Sequence, residues 1–411
     1  MPDYLPHVMK PSLMWHWRSW EDIKSASTFT LANYTTIILI VFFLGLALWQ
    51  ANAKQNAAAK AGHNRRFLKA PEFPPIEEQT DFDWKTTEPV QARPFKPKYY
   101  LTMAESDSSA LENITPSELL LMDKTYADRI EYRKDVMAKH GKHVINVNDD
   151  ERVRPAVVEF YTFLMGTFLP LRFPQVFKLH ETHYEAGQTF MLQNTVTGAL
   201  FPAKPGPHTP TTRLLEILGR TIDEDFLFLL PEKDTEDPKY VLEAYVTVCP
   251  SGFDPAEKIG KRLAAIHGPV PGYSSKLEGS MDRFFAKIEP GKYVKRVNWS
   301  ITTNADLFAG HTKTHAHDDD EADEVAELDE VDIEKTFVRS ERQTLHRLPK
   351  SRALVFAFHT YLYPIKQIKE EGSGEELANA IDGLKAGNVP QMHFYKRGAV
   401  WGEAVKKYLR S

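Results

Sequence analysis

The chain has 411 residues, a formal net charge of −5 and one cysteine, Cys249. Because the net charge is small, no general electrostatic attraction to nucleic acid is expected. The single cysteine excludes an internal disulfide, and it excludes any zinc or iron–sulfur site built from several cysteines of this chain. The length suits one large domain or two smaller ones.

An apolar segment near the N-terminus predicts one transmembrane helix. Residues 25–53 contain no Asp, Glu, Lys or Arg, and the apolar part, residues 29–51, reaches the roughly 20 residues that a bilayer requires. Tyr34 and Trp49 stand where interfacial aromatic side chains are expected. A cleaved signal peptide is the alternative, but the segment begins late and no small-residue cleavage site follows it cleanly.

The charges that flank this segment predict its orientation. Five Lys and Arg residues lie between Lys54 and Lys69, and no acidic residue separates them. Before the segment, basic residues are fewer and are mixed with acidic ones. By the positive-inside rule, the C-terminal domain faces the cytosol. We therefore expect a single-pass protein of an intracellular membrane, such as the endoplasmic reticulum, with an N-terminal tail at residues 1–28.

Proline spacing and hydrophobic periodicity predict the organisation that follows. Residues 52–97 are rich in proline and favour an extended linker. Helices are predicted over residues 115–140, over 155–169 with Pro170 ending the helix, and over 254–266. Strands are predicted at 189–195, 226–230, 240–248, 294–302, 336–345 and 353–363. Strands and helices in no regular βαβ order indicate an α+β fold with an antiparallel sheet.

An acidic, His-rich insert interrupts the main domain at residues 307–335. It is poor in apolar residues and is expected to be a solvated loop. Three histidines of the insert could instead bind a divalent metal: His311, His315 and His317. The main domain is expected to span residues 98–370, and residues 371–411 form a C-terminal extension.

His267 stands directly before a Gly-Pro-Val-Pro-Gly turn at residues 268–272. Proline fixes φ, so the backbone position of this histidine is well defined. Imidazole is a common axial ligand of haem iron, and a ligand has to be held still. The alternative is a histidine that only caps the preceding helix.

Three blocks of sequence resemble one known family. They are residues 253–272, residues 296–301, and residues 341–349 with Phe356 and residues 360–362. Together they are similar to the haem-dependent oxidative N-demethylase alpha-subunit-like family, over roughly residues 95–370. The chain is identified as a membrane-anchored, fungal-type member of this family.

The resemblance implies a fold, a cofactor and an activity. It implies a PAS-like antiparallel sheet with flanking helices that holds haem. It also implies O2-dependent oxidative N-demethylation of a small methylated amine. The chain carries no dinucleotide-binding fingerprint, so the electrons would come from a separate electron-donor protein. The alternative is a non-catalytic haem-binding sensor or carrier at a membrane.

The resemblance also implies roles for particular side chains. His267 would be the proximal haem ligand, with its second ring nitrogen on a partner such as a backbone carbonyl. Four residues would contact the haem, the arginines through its propionates: Arg296, Asn298, Arg339 and Arg342. Trp299 would pack on the porphyrin or on a methylated ammonium, and Glu341 would neutralise a cationic amine.

Each of these residues also has a structural alternative. The arginines and Glu341 could form ordinary ion pairs, and Trp299 could belong to the core. His346 is expected to face solvent, and the acidic pair Glu224 and Asp225 is expected to cap a turn.

Overall fold

The computed structural model describes residues 67–101, 111–184, 187–310 and 327–411, together with Gly45. The predicted transmembrane segment lies, apart from Gly45, outside the described residues, as does the part of the insert that carries the three histidines. No helix in the described ranges is long and apolar enough to cross a bilayer.

Two antiparallel sheets form the framework of the described residues. The strands are β1 (Glu112–Ile114), β2 (Ile145–Val147), β3 (Phe177–Tyr184), β4 (Gly187–Asn194), β5 (Leu200–Pro202), β6 (Asp225–Pro231), β7 (Tyr240–Val246), β8 (Tyr293–Thr302), β9 (Phe337–Arg347) and β10 (Leu354–Pro364). The larger sheet has the order β1-β8-β9-β10-β6-β7-β2, and the smaller sheet has the order β3-β4-β5. A large antiparallel sheet with flanking helices confirms the predicted α+β class.

Helices cover the sheets and form a C-terminal group. They are α1 (Tyr126–His140), α2 (Val153–Phe163), α3 (Leu169–Arg172), α4 (Thr211–Gly219), α5 (Leu263–Ile266), α6 (Glu278–Lys287), α7 (Ile365–Glu370), α8 (Gly374–Ala386), α9 (Met392–Tyr395) and α10 (Gly398–Arg410). Short 3₁₀ turns occur at Pro116–Glu118, Gly141–His143 and Pro255–Glu257. Wider π-helical turns occur at Leu164–Phe168 and Tyr273–Leu277.

Pro170 does not end its helix, contrary to the prediction. The π turn at Leu164–Phe168 joins α2 to α3, and helical structure continues to Arg172. Proline has no N–H to donate to the carbonyl four residues earlier. That carbonyl, of Gly166, instead accepts the backbone N–H of Leu68 at 2.6 Å. A tertiary contact therefore satisfies the group that proline leaves free.

The continuous helix predicted over residues 254–266 is also wrong. Asp254 does cap, since its carboxylate accepts the N–H of Ala256 at 2.8 Å. The 3₁₀ turn that follows ends by Gly260, whose φ of +74° lies in the left-handed region. Within the predicted range, only α5 is helical after Gly260, because a left-handed residue breaks the helical hydrogen-bond ladder.

Residues 67–97 contain no helix or strand but pack against the domain. Leu68, Phe73 and Phe82 are buried in the main core, and the ring of Phe73 stacks on Phe163 at 3.8 Å between centroids. The compact unit extends from Arg65 to Ser411. It therefore includes the described part of the predicted linker.

The C-terminal helices also belong to this unit. A Cβ atom on Gly387 would lie 1.6 Å from the carbonyl oxygen of Tyr99, so glycine is required where the two segments touch. The N–H of Tyr99 donates to the carbonyl of Gly383 at 3.1 Å. Residues 98–101 are thus fixed on α8.

Candidate functional site

A cavity of about 780 Å³ lies on one face of the large sheet. Its size is within the usual range for small-molecule sites, about 300–1,000 Å³. The walls are largely apolar and include Leu227, Leu229, Leu242, Phe285, Leu345 and Phe356. A polar group of lining residues comprises Tyr99, Arg296, Asn298, Glu341, Gln343 and Lys396. The cavity thus combines a large apolar surface with a few polar side chains.

Strand register explains why several polar side chains meet at the cavity. Asn298 on β8 lies opposite Glu341 on β9, and Arg296 lies opposite Gln343. Side chains alternate between the faces of a strand, so these four share one face. Phe358 on β10 continues the row from Gln343.

His267 is held by the end of α5. It is the C-cap residue, and its backbone N–H donates to the carbonyl of Leu263 at 2.9 Å. Its ring Nδ1 lies 2.9 Å from the same carbonyl oxygen. The ring also stacks on Tyr273, with centroids 4.8 Å apart and planes within 13°. His267 therefore both caps α5 and faces the cavity.

The contacts of His267 define its protonation. A carbonyl oxygen only accepts, so Nδ1 carries the proton and Nε2 keeps its lone pair. Burial lowers the pKa of the imidazole to about 4, and the charge of Arg296 acts in the same direction. The ring is therefore neutral at pH 7. No described residue hydrogen-bonds to Nε2, so this nitrogen remains available to a metal.

Arg296 presents an uncommitted guanidinium to the cavity. It makes no hydrogen bond or ion pair with any described residue, and its Nε is buried without a partner. Glu341, in contrast, accepts a hydrogen bond from Gln343 at 3.2 Å and lies 3.6 Å from Nε of Arg339. A buried donor without a partner is costly, so Arg296 is suited to bind an anionic ligand.

Lys396 is a cavity residue that the sequence did not suggest. It follows α9 and is 2% exposed. Its Nζ donates to Oδ1 of Asn298 at 3.0 Å and to the carbonyl of Trp299. Burial, reinforced by the charge of Arg296, lowers the pKa of Lys396 to about 7. It lies in the predicted extension, and no local pattern indicates that this lysine reaches β8.

Three predicted site residues do not line the cavity: Trp299, Arg339 and Arg342. Trp299 is 5% exposed on the opposite face of β8 from Asn298, and Phe95 packs on it edge-to-face at 5.8 Å. The Nζ atom of Lys396 already lies 5.5 Å from the centroid of its ring. A basic side chain of this chain therefore already lies beside the Trp299 ring.

The two arginines are committed to backbone carbonyls. Arg339 donates to Cys249 at 2.8 Å and to Leu307 at 3.3 Å. Arg342 donates to the carbonyls of Glu118 and Leu119. Both side chains tie distant segments to β9. Of the seven predicted residues, the cavity brings together His267, Arg296, Asn298 and Glu341.

One structural expectation is wrong. His346 is fully buried rather than exposed, and its ring stacks on Tyr293 at 4.9 Å. Both faces of β9 are covered near His346. The alternation of side chains between the two faces therefore does not expose any of them to solvent. The expected role of the acidic pair agrees with the structure for Asp225, whose carboxylate accepts the N–H groups of Val248 and Cys249 at the bend after β7. Glu224 and Asp225 are 1% exposed, and Arg133 donates to the Asp225 carboxylate and to the Glu224 carbonyl.

The lining residues fit a haem. Its macrocycle is apolar and suits the leucine and phenylalanine walls. The porphyrin supplies four iron ligands, so the protein needs to provide only one axial nitrogen, which Nε2 of His267 can be. The free guanidinium of Arg296 matches a propionate. These three properties occur together in one cavity.

Comparison with known proteins agrees with this fit. The family model described as "Haem-dependent oxidative N-demethylase, alpha subunit-like" matches residues 110–406. The match covers the large sheet, His267 and the C-terminal helices as far as Lys396 and beyond. It confirms the resemblance seen in the sequence and extends it past residue 370. The chain belongs to the haem-dependent oxidative N-demethylase, alpha subunit-like family, whose cofactor is haem.

Proposed function

We propose that this protein is an oxidoreductase that removes a methyl group from a small methylated amine, with haem as cofactor and O2 as oxidant. The observation that carries the proposal is the neutral His267 ring at the apolar cavity, with Nδ1 bonded to Leu263 and Nε2 free. Family membership supports the haem dependence and the reaction class. A PAS-like character of the sheet is part of the same proposal.

The side chains of the cavity would have distinct roles. His267 would hold the iron through Nε2, and Arg296 would pair with a propionate. When bound, haem supplies a redox-active iron that can activate O2. Glu341 would hold the cationic amine near the polar group, while Gln343 fixes the orientation of its carboxylate. The apolar walls would limit the access of water.

Atoms and charges balance in the overall reaction if one external donor supplies two electrons. O2, two electrons and two protons convert the methyl group to a hydroxymethyl group, and the second oxygen atom leaves as water. The resulting carbinolamine breaks its C–N bond, which gives formaldehyde and the shorter amine. The electrons would come from a separate donor protein. The "alpha subunit-like" description agrees with a chain that works together with other subunits.

Haem titration of full-length protein in detergent tests the assignment of His267. Wild type should bind haem with a histidine-ligated Soret spectrum. His267→Gln should lose this spectrum, although its amide can still donate to the carbonyl of Leu263. His180→Ala is the matched control, because His180 lies on β3 and, among the described residues, its ring hydrogen-bonds to Gln193 alone. Unchanged ligation in His267→Gln would overturn the assignment.

A turnover assay separates an enzyme from a sensor or carrier. Haem-loaded protein is incubated with a reductant, O2 and a series of small methylated amines, and formaldehyde is measured. The expected result is release of one formaldehyde for each methyl group lost. Haem binding without formaldehyde release from any amine would favour the sensor or carrier.

We also propose that residues 29–51 anchor the protein in an intracellular membrane, with the main domain in the cytosol. The support is the uncharged segment and the basic residues that follow it. Protease treatment of intact microsomes should remove a C-terminal tag. Protection of the tag would contradict this orientation.

A further inference from the structure

Two buried lysines of the C-terminal helices have opposite environments. Lys406 is 8% exposed and is neutralised by Asp382 at 2.5 Å and Glu403 at 2.8 Å. Lys396 is more deeply buried, at 2% exposure, and forms no ion pair with any described residue. Its partners are two neutral oxygen acceptors. Burial without an acidic partner favours the neutral amine.

Residues from β8, from β9 and from the segment 98–101 contribute to the environment of Lys396. Arg296 on β8 opposes protonation of the amine, whereas Glu341 on β9 favours it more weakly. Tyr99, from residues 98–101, places its ring centroid 5.5 Å from Nζ. Burial raises the pKa of the Tyr99 phenol, so this group is uncharged at pH 7. Burial and the charge of Arg296 together outweigh the charge of Glu341, and they lower the pKa of Lys396 to about 7.

The hydrogen bonds of Lys396 leave one position of the amine open. Two N–H groups donate to Asn298 and to the carbonyl of Trp299. The third position on Nζ carries a proton when the side chain is charged and the lone pair when it is neutral. Lysines are activated for attack on carbonyl carbons when they are desolvated in an apolar pocket or lie beside another cation. Both conditions hold here, because Lys396 lines the apolar cavity and is close to Arg296.

We propose that Lys396 is a carbonyl-reactive lysine that captures small aldehydes in the cavity as an imine. The amine lone pair attacks the carbonyl carbon, and a proton moves from nitrogen to oxygen to give a carbinolamine. Loss of water then forms the C=N bond. No oxidant or reductant is needed, and addition of water reverses the reaction.

The use of this site in turnover rests on the proposed function. Oxidative N-demethylation releases formaldehyde in the same cavity, and Lys396 would hold it there until water releases it. The capture itself does not require haem, an electron donor or an amine substrate. The two proposals therefore have independent tests.

Reductive trapping tests the capture directly. Full-length protein in detergent is treated briefly with formaldehyde and cyanoborohydride at pH 7, and peptide mass spectrometry locates N-methyl-lysine. A lysine in water is neutral to only about 0.04% at pH 7, so Lys396 should react at least about tenfold faster than an accessible lysine. The exposed Lys287 and the buried, acid-paired Lys406 are the internal standards.

The pH dependence and one variant complete the test. Labelling of Lys396 should rise through pH 7 as the amine loses its proton. Lys396→Arg keeps N–H donors at this position but no nucleophilic amine, and it should remove this labelled site only. Labelling of Lys396 no faster than that of Lys287, or independent of pH between 6 and 8, would overturn the proposal. Failure of the proposed function would instead appear in the turnover assay, as haem binding without formaldehyde release from any amine.

Discussion

Arg296, at the cavity, and Arg133, in the charged core, show that this domain uses the same residue type in two different ways. Arg133, on α1, is 1% exposed and donates to the carbonyls of Gly219 and Glu224 and to the carboxylate of Asp225. Arg296 makes none of these contacts and lines an open space. Saturated hydrogen bonding indicates a structural role, and unfilled capacity at a cavity indicates a ligand.

The largest expected effect is on folding. Arg133→Met removes the partner of Asp225 and leaves a buried carboxylate without its counter-ion. Loss of one member of such a pair costs about 3–5 kcal/mol of the free energy of unfolding. Arg296→Met should change the free energy of unfolding by no more than about 0.5 kcal/mol, because no hydrogen bond or ion pair to a described residue is lost. Urea unfolding of both variants is the measurement, and equal losses would remove the distinction between the two regions.

A second effect concerns acid stability. Burial lowers the pKa of His346 to about 3, below the ordinary value near 6.5. The unfolded chain therefore binds a proton that the folded chain does not, so stability falls as pH drops below 6.5. Between pH 6.5 and 5 this contribution is about 2 kcal/mol.

His346→Phe should remove that contribution and keep an aromatic ring beside Tyr293. The stability of the variant relative to wild type should therefore increase by about 2 kcal/mol on going from pH 7 to pH 5. His267 and His393, whose pKa values burial also lowers, are unchanged in the comparison. Parallel pH profiles of urea unfolding would show that His346 does not carry this effect.

The smallest expected effect is on haem retention. Arg296→Gln should weaken binding by about tenfold, or about 1.4 kcal/mol, because one charge-assisted contact is lost while the axial ligand stays. Arg220→Gln, which alters a surface ion pair with Glu216, is the control. Haem transfer to an excess of apomyoglobin gives the dissociation rates. Equal rates in the two variants would mean that Arg296 does not contact the haem.

Runs of apolar and β-branched residues were sufficient to predict β6 to β10, and the two-residue spacing of Arg296 and Asn298 agrees with their common face on β8. The chain segments that accept hydrogen bonds from Arg339 and Arg342 could not be predicted in the same way. Their carbonyl partners come from Cys249, Leu307, Glu118 and Leu119, which are remote in sequence. Spacing along a strand shows which side chains share a face, but not what lies opposite them.

Lys396 was missed for the same reason. Its surroundings include Asn298 and Trp299 on β8 and Tyr99, so its character depends on two distant stretches of chain that meet it only in the folded domain. His267 was found because the local sequence that fixes its backbone is itself distinctive. Local backbone constraints can be seen in a sequence, whereas desolvation of a side chain depends on tertiary packing.

The contact between residues 98–101 and α8 has a consequence for biosynthesis. Tyr99 leaves the ribosome long before Gly387 and Lys396, yet this part of the cavity wall exists only when the early and late segments have met. Closing so long a loop costs entropy that only the completed contact repays. A nascent chain that ends before Gly387 therefore carries His267 without this part of the cavity wall in place.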